Sequence, residues 1–305
     1  MLHLKTRILN PKVLGWVAVG LSTAVASFWA WWGISENFHE GWYYESLTQN
    51  LSLMFVQYLS IAFIFVLLTV VAIRWRRVGS AFLTIAVVGL VLFFSGFGVA
   101  ASVLIIPPLL IIGVLFWFGR PDPKRFAASI VIIIPVIIII GFGIPSGIRV
   151  SQRLNDENLN ARLIEENGLE LIWAPSGPGW PDSGVPWDEA NEICRYLSED
   201  GLVVEDTAQN YWRLPTTDEV VGSMMLHGVN AEGIWDSENS KATYAIKPDK
   251  ETPLWNPYSQ IIYYWTSSEL NEDRAYIVVY DGQVFTRNKA GMGSLGFRAV
   301  KSPED

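Results

Sequence analysis

Cysteine is nearly absent. Cys194 stands alone in 305 residues, which excludes an intrachain disulfide, a cysteine-rich zinc site and any two-cysteine redox pair. Histidine is almost as scarce: His3, His39 and His227 are scattered along the chain, and no imidazole pair stands at metal-ligand spacing. Charge is thin as well. Only 17% of residues are charged while 50% are hydrophobic, against about 25% charged in an ordinary soluble domain. The net charge of −8 gives no basic footprint for a phosphate backbone, so nucleic acid is not an expected partner. There is no Gly-x-Ser-x-Gly turn, phosphate loop, glycine-rich dinucleotide turn, low-complexity tract or internal repeat.

The charges that exist are unevenly placed. The first 147 residues hold nine Lys/Arg and four Asp/Glu, and the rest hold thirteen and twenty-six. Four stretches in the first half lack any Asp, Glu, Lys, Arg or His: 13–33, 51–73, 78–119 and 126–147. Each has the roughly 20 apolar residues that cross a hydrocarbon core. The third is twice that length, about 63 Å as one helix against a core of about 30 Å, so it is read as two spans. The reversal is placed at Ser95-Gly96-Phe97-Gly98, because a turn at Pro107-Pro108 would leave too few residues before Arg120. The expectation is a membrane all-α bundle of five transmembrane helices, about 13–33, 51–73, 78–96, 100–119 and 126–147, with bilayer lipid as first partner.

Lys5, Arg7 and Lys12 precede the first span, Arg74, Arg76 and Arg77 lie between the second and third, and Arg120, Lys124 and Arg125 precede the fifth; the other short loops have none. The positive-inside rule then makes the N-terminus cytoplasmic and residues 148–305 extracytoplasmic, in a protein integral to the cytoplasmic membrane. The loop 34–50 is acidic and aromatic, with Trp42, Tyr43 and Tyr44 suited to the headgroup belt. The first span reads as an uncleaved signal anchor. No charge or histidine lies inside a span, which favours an anchoring or assembly role over transport. Gln57, Ser60, Thr69, Ser22 and Thr23 are expected interhelical hydrogen bonders.

Residues 148–167 are expected to form a helical stalk, with Ile148, Val150, Leu154, Leu159 and Leu163 at loosely helical spacing. A compact α+β domain is expected over 168–305. Pro186-Trp187-Asp188-Glu189 opens a helix whose apolar face carries Ala190, Ile193, Cys194 and Leu197, with the cysteine as a buried small side chain. Thr216-Thr217-Asp218-Glu219 is a capping box opening a second helix that runs to Leu226. Strands are expected at Ile261–Ser267, Ala275–Tyr280, Gln283–Arg287 and Leu295–Val300, with Asp281-Gly282 as a two-residue hairpin turn. Between helix and strands lie 34 residues, His227 to Gln260, without periodicity but with four aromatics. A loop that long in a compact domain is functional or disordered, and the aromatics argue against disorder. Trp235, Asp236, Tyr244, Trp255, Asn256 and Tyr258 are therefore the candidate ligand-binding residues, the rings as platforms and the polar groups as orienters.

The blocks Gly168-Leu-Glu-Leu-Ile-Trp173, Val185-Pro-Trp-Asp-Glu-Ala190, Tyr211-Trp-Arg-Leu-Pro-Thr-Thr-Asp-Glu219, Tyr264-Trp-Thr-Ser-Ser268, Ala275-Tyr-Ile-Val-Val-Tyr-Asp-Gly282 and Gly296-Phe-Arg-Ala-Val300 occur in that order. Over about 168–301 the chain resembles the Lcl C-terminal-type domain, a relative of the sulfatase-modifying-factor (formylglycine-generating enzyme) domains. The resemblance implies a C-type-lectin-like α+β fold whose long loop carries the ligand. It gives Trp187, Trp212, Arg213, Pro215, Thr216, Glu219, Trp265, Ser267, Gly282 and Arg298 structural roles, Arg213 tying a strand to the core through a carboxylate. Catalysis in the related enzymes needs a cysteine pair, and this chain lacks one, so no catalytic residue is assigned. Asp236 with Glu238, or Glu269 with Glu272 and Asp273, are candidate calcium ligands, although neither has EF-hand spacing; no other cofactor is expected. The leading expectation is an extracytoplasmic module recognising a glycan, a peptide or a partner protein. The alternatives are a structural subunit of a membrane complex and an oxidoreductase acting on exported proteins.

Overall fold

The computed structural model describes residues 10–93 and 99–303. They form two compact units: residues 149–305 together with Tyr43–Glu45 make one, and the remaining N-terminal residues make the other.

The N-terminal unit is helical. α1 (Pro11–His39) opens on an Asn10 cap, whose side chain accepts the Lys12 N–H, with proline at the first helical position where its missing N–H is harmless. Its buried stripe is made of small residues, including Gly15, Ala18, Ser22, Ala26, Ala30 and Gly33, which lets neighbouring backbones approach closely. α2 (Leu47–Leu53) passes through a π-helical turn, Met54–Tyr58, into α3 (Ser60–Arg74). α4 (Arg76–Phe93), α5 (Val99–Phe118) and α6 (Lys124–Ser151) follow. α1 packs on α3 and α5, and α4 packs on α3 and α5.

Two of these helices, α1 and α6, are long and apolar enough to cross a membrane, or three spans arise if the bent pair Leu47–Tyr58 and Ser60–Arg74 counts as one. The expected continuous helix over 51–73 is therefore corrected: it is bent by 58°. The break has a partner. A side chain on Gly33 would begin 2.3 Å from the Tyr58 carbonyl oxygen, so only glycine admits the broken segment against α1. The reversal expected at 95–98 lies outside the described residues, while Pro107 and Pro108 lie within α5. The interhelical bonding differs from expectation too. Thr23 donates to Val19 of its own helix, whereas Ser80 on α4 donates to the Gly113 carbonyl of α5 at 2.6 Å.

The helical stalk is also corrected. α6 ends at Ser151, and Arg162–Glu166 is a strand, β1, paired antiparallel with β2 (Leu169–Trp173). The physical reason is Asn167-Gly168. Both residues have positive φ (54° and 75°) and close a two-residue turn whose twist matches a hairpin. Burial alternates along β1, with Ile164 buried and Leu163 exposed, the period of a strand. The second unit accordingly starts at Arg149 and not at Gly168.

The rest of that unit is rich in short strands. α7 (Trp187–Tyr196) has Asp188 and Glu189 in its first turn and buries Ala190 and Cys194. α8 (Thr217–Gly222) has both halves of its capping box, Thr216 Oγ1 accepting Glu219 N–H and the Glu219 carboxylate accepting Thr216 N–H, but it stops well short of Leu226. Where a loop is expected from 227 to 260, two hairpins run from 225 to 243 instead: β3 (Met225–Leu226) with β4 (Val229–Asn230), and β5 (Ile234–Asp236) with β6 (Lys241–Thr243). β7 (Tyr263–Asn271), β8 (Arg274–Val279) and β9 (Val284–Asn288) form an antiparallel meander, with β10 (Leu295–Gly296) parallel to β7. β11 (Val300–Lys301) instead joins β2, so the expected closing strand is divided between two sheets. The hairpin turn at Asp281-Gly282 has three residues: Val279 N–H bonds to Gln283, Gly282 N–H bonds back to Val279, and Gly282 sits at φ 87°. That is the turn-plus-bulge form of hairpin. One core packs Trp173, Trp180, Val220, Met224, Trp255, Tyr264 and Tyr280; another packs Cys194, Trp212, Trp265, Ile277 and Phe297.

Candidate functional site

The six candidate ligand-binding residues are not brought together. Trp255 is 1% exposed and stacks face to face on Tyr264, centroids 3.8 Å apart. It is a core residue, and its assignment as a ligand platform is corrected: the long loop folds its apolar rings inward because they are the area that can be removed from water. Trp235 meets Tyr276 edge-on at 5.6 Å, which lays the β5–β6 hairpin over the face of β8. Asp236 is occupied within that hairpin, accepting Asn239 N–H at 3.1 Å and its side-chain NH2 at 2.7 Å; these donors hold its carboxyl below the usual range. The Tyr244 ring lies against Gly233 and Gly282, where an added side chain would begin 2.7 and 2.6 Å from it. Asn256 and Tyr258 line open cavities.

Two cavities share these residues. One, of about 480 Å³, is walled by Glu45, Asn155, Glu157, Leu159, Asn256 and Tyr258. The other, of about 440 Å³, adds Tyr43, Tyr44, Asp182, Ser183 and Gln260 to Asn256 and Tyr258. Tyr43 and Tyr44 are half-buried with ring centroids 4.7 Å apart, and Tyr258 is 43% exposed. Burial, reinforced by the Tyr44 hydroxyl, pushes the Tyr43 phenol up to about 12, so it is a neutral hydrogen-bonding group at physiological pH. The walls carry the carboxylates Glu45, Glu157 and Asp182 but no lysine, arginine or histidine.

The shared wall, residues 256–260, is held from behind. Asn256 Oδ1 accepts the Tyr258 N–H at 2.9 Å, and Ser259 Oγ accepts the Ile261 N–H at 3.0 Å. Lys250, only 2% exposed, donates from Nζ to the Ser259 carbonyl. Lys250 belongs to a run of four buried polar residues, Asp249 to Thr252. Asp249 accepts Arg153 Nε and Nη2 at 3.0 and 2.7 Å, and the Lys250 N–H at 2.7 Å. Desolvation, followed by the Arg153 charge, pushes the Lys250 ammonium down to about 7, with Asp249 and Asp182 pulling the other way. Glu251, buried beneath His227, is raised by desolvation despite accepting the His227 N–H at 2.5 Å.

The motif residues lie within the framework. Trp187 Nε1 donates to Thr266, Trp212 Nε1 to Ser198 and Trp265 Nε1 to Val185. Arg213 grips Glu219 through two parallel bonds of 2.7 and 2.6 Å, tying the chain before α8 to its first turn. Burial would raise the Glu219 carboxyl, but Arg213 and the Thr216 N–H outweigh it and the pKa is lowered. Ser267 N–H donates to Pro215. Arg298 is fully buried against the Trp180 ring at 3.7 Å, and its donors reach the carbonyls of Ala174, Pro253 and Leu254. Among the described residues no group of three or more His, Cys, Asp or Glu side chains converges to hold a metal; Glu269 is engaged instead by Lys289 at 2.5 Å.

Sequence reasoning missed Tyr43, Tyr44, Glu45, Asn155, Glu157, Asp182 and Gln260. The signal for the first three was present, an acidic aromatic cluster in a short loop, but it also fits a membrane interface. No family model, curated protein or solved structure matches the chain.

Proposed function

We propose that the chain is a five-span membrane protein that presents residues 149–305 outside the membrane as a C-type-lectin-like recognition module of the Lcl C-terminal type, binding a neutral polyhydroxylated ligand such as a glycan. The observation that carries this reading is the pair of adjoining cavities sharing Asn256 and Tyr258. Tyrosine faces offer flat apolar area, while amides and carboxylates orient hydroxyl groups. With Oδ1 taken by Tyr258, Asn256 offers a ligand its NH2 donors. Three carboxylates without a cation disfavour a sulfated, phosphorylated or uronic ligand by like-charge repulsion. The five-span arrangement rests on α4 and α5 as separate helices on either side of 95–98, and the orientation rests on the basic-residue asymmetry.

The test is a glycan array probed with the detergent-solubilised full chain, comparing wild type with Tyr258→Ala and Asn256→Ala. Binding to neutral glycans that both substitutions abolish is the expected result. Preference for anionic glycans, or undiminished binding by both variants, refutes the site. A reporter fused after Asp305 tests the orientation, which fails if the reporter is active only in the cytosol.

A further inference from the structure

One end of the helical unit gathers cations from three segments far apart in sequence. The start of α1 meets the end of α5 through the Arg120 N–H on the Pro11 carbonyl at 2.8 Å, and Lys12 pairs with Asp122 at 2.9 Å. The start of α6 meets the end of α3 through Lys124 Nζ on the Arg74 carbonyl at 3.2 Å. α4 begins two residues after that carbonyl, at Arg76. Lys12, Arg74, Arg76, Arg77, Arg120, Lys124 and Arg125 are all exposed there, and Asp122, already paired with Lys12, is the one acid among the described residues of these segments.

The dipoles make the imbalance larger. α1, α4 and α6 all start at this end, and none has an acidic residue in its first turn. Helix N-termini carry partial positive charge and are ordinarily complemented by Asp or Glu. Here lysine and arginine occupy those turns, so cation is added to cation, an arrangement that an external anion would relieve. Exposed aromatic rings surround the patch: Trp75, beneath the Arg74 guanidinium at 5.5 Å, together with Trp117, Phe118 and Phe126. Rings of this kind sit at the level of lipid headgroups.

We propose that this end is a docking surface for anionic phospholipid headgroups, whose phosphates lie across Arg76, Arg77 and Arg125. The inference is independent of the recognition cleft and of which side of the membrane this end faces. The test is native mass spectrometry of the full chain in detergent, given equal amounts of phosphatidylglycerol and phosphatidylcholine. Wild type is expected to retain phosphatidylglycerol preferentially, with the preference falling as salt is raised. The triple variant Arg76→Gln, Arg77→Gln, Arg125→Gln is expected to lose at least about tenfold of that preference, given the attraction of each basic residue to an anionic surface. The matching triple lysine variant keeps the charge and restores it, which separates loss of charge from misfolding. Equal retention of both lipids by wild type, an unchanged preference in the glutamine variant, or failure of the lysine variant to restore it overturns the proposal.

Discussion

Lys250→Met should make the second unit more stable near neutral pH and remove part of its dependence on alkali. Lys250 is 2% exposed, with Nζ on the Ser259 carbonyl. Its pKa is pushed from 10.5 to about 7 by desolvation and Arg153. The sign follows from proton counting. Between those values the unfolded chain holds one more proton than the folded one, so stability rises with pH across that window. The slope is about 1.4 kcal/mol per pH unit, which amounts to about 3 kcal/mol between pH 7.5 and 10. Methionine removes the titrating group and fills similar volume; it also leaves the Ser259 carbonyl without its donor, a pH-independent loss of about 1 kcal/mol. The assay is urea unfolding of the detergent-solubilised full chain by tryptophan fluorescence at several pH values. Other titrating groups act on both proteins alike, so the difference between them isolates Lys250. Parallel pH profiles for wild type and variant would refute the reasoning.

Three further outcomes follow from the packing. Trp255→Ala should destabilise the unit by about 3–5 kcal/mol, as large core truncations do, whereas Tyr258→Ala, on an exposed ring, should leave the urea midpoint nearly unchanged; equal midpoints in the two variants would contradict their placement. Gly282→Ala should destabilise by about 1–3 kcal/mol because the residue is held at positive φ, with the new methyl also meeting the Tyr244 ring, and relief by Tyr244→Ala in the double variant would show that contact directly. Burial pushes the Cys194 thiol up, so maleimide should label it only in urea, and rapid labelling of the native protein would count against a buried α7 face.

Some elements were legible because a local rule dictates them. The capping box Thr216–Glu219 and the acidic start of α7 appear where the residues place them, since a cap is satisfied within a single turn of chain. Asn167-Gly168 was equally legible as a hairpin signal, yet the loosely helical spacing before it, from Ile148 to Leu163, hid the strand. The unpatterned stretch 227–260 defeated periodicity because two- and three-residue strands carry too few side chains to show a period.

The chain by itself determined that its first half is apolar and helical, that its acids lie in the second half, and that Cys194 has no disulfide partner within the chain. Those are properties of composition and short spacing, which the backbone reads locally. Only the tertiary structure decided that Trp255 is core while Tyr258 is surface, and that Tyr43 and Tyr44 wall the same cleft as Asn256. It also set Lys12 against Asp122 and Lys124 on the Arg74 carbonyl, contacts that join the three basic segments at one end of the helices. The physical reason is that burial and cavities are made by residues far apart in sequence. Which face of a ring meets solvent is settled by what packs on its other side, and no local pattern records that.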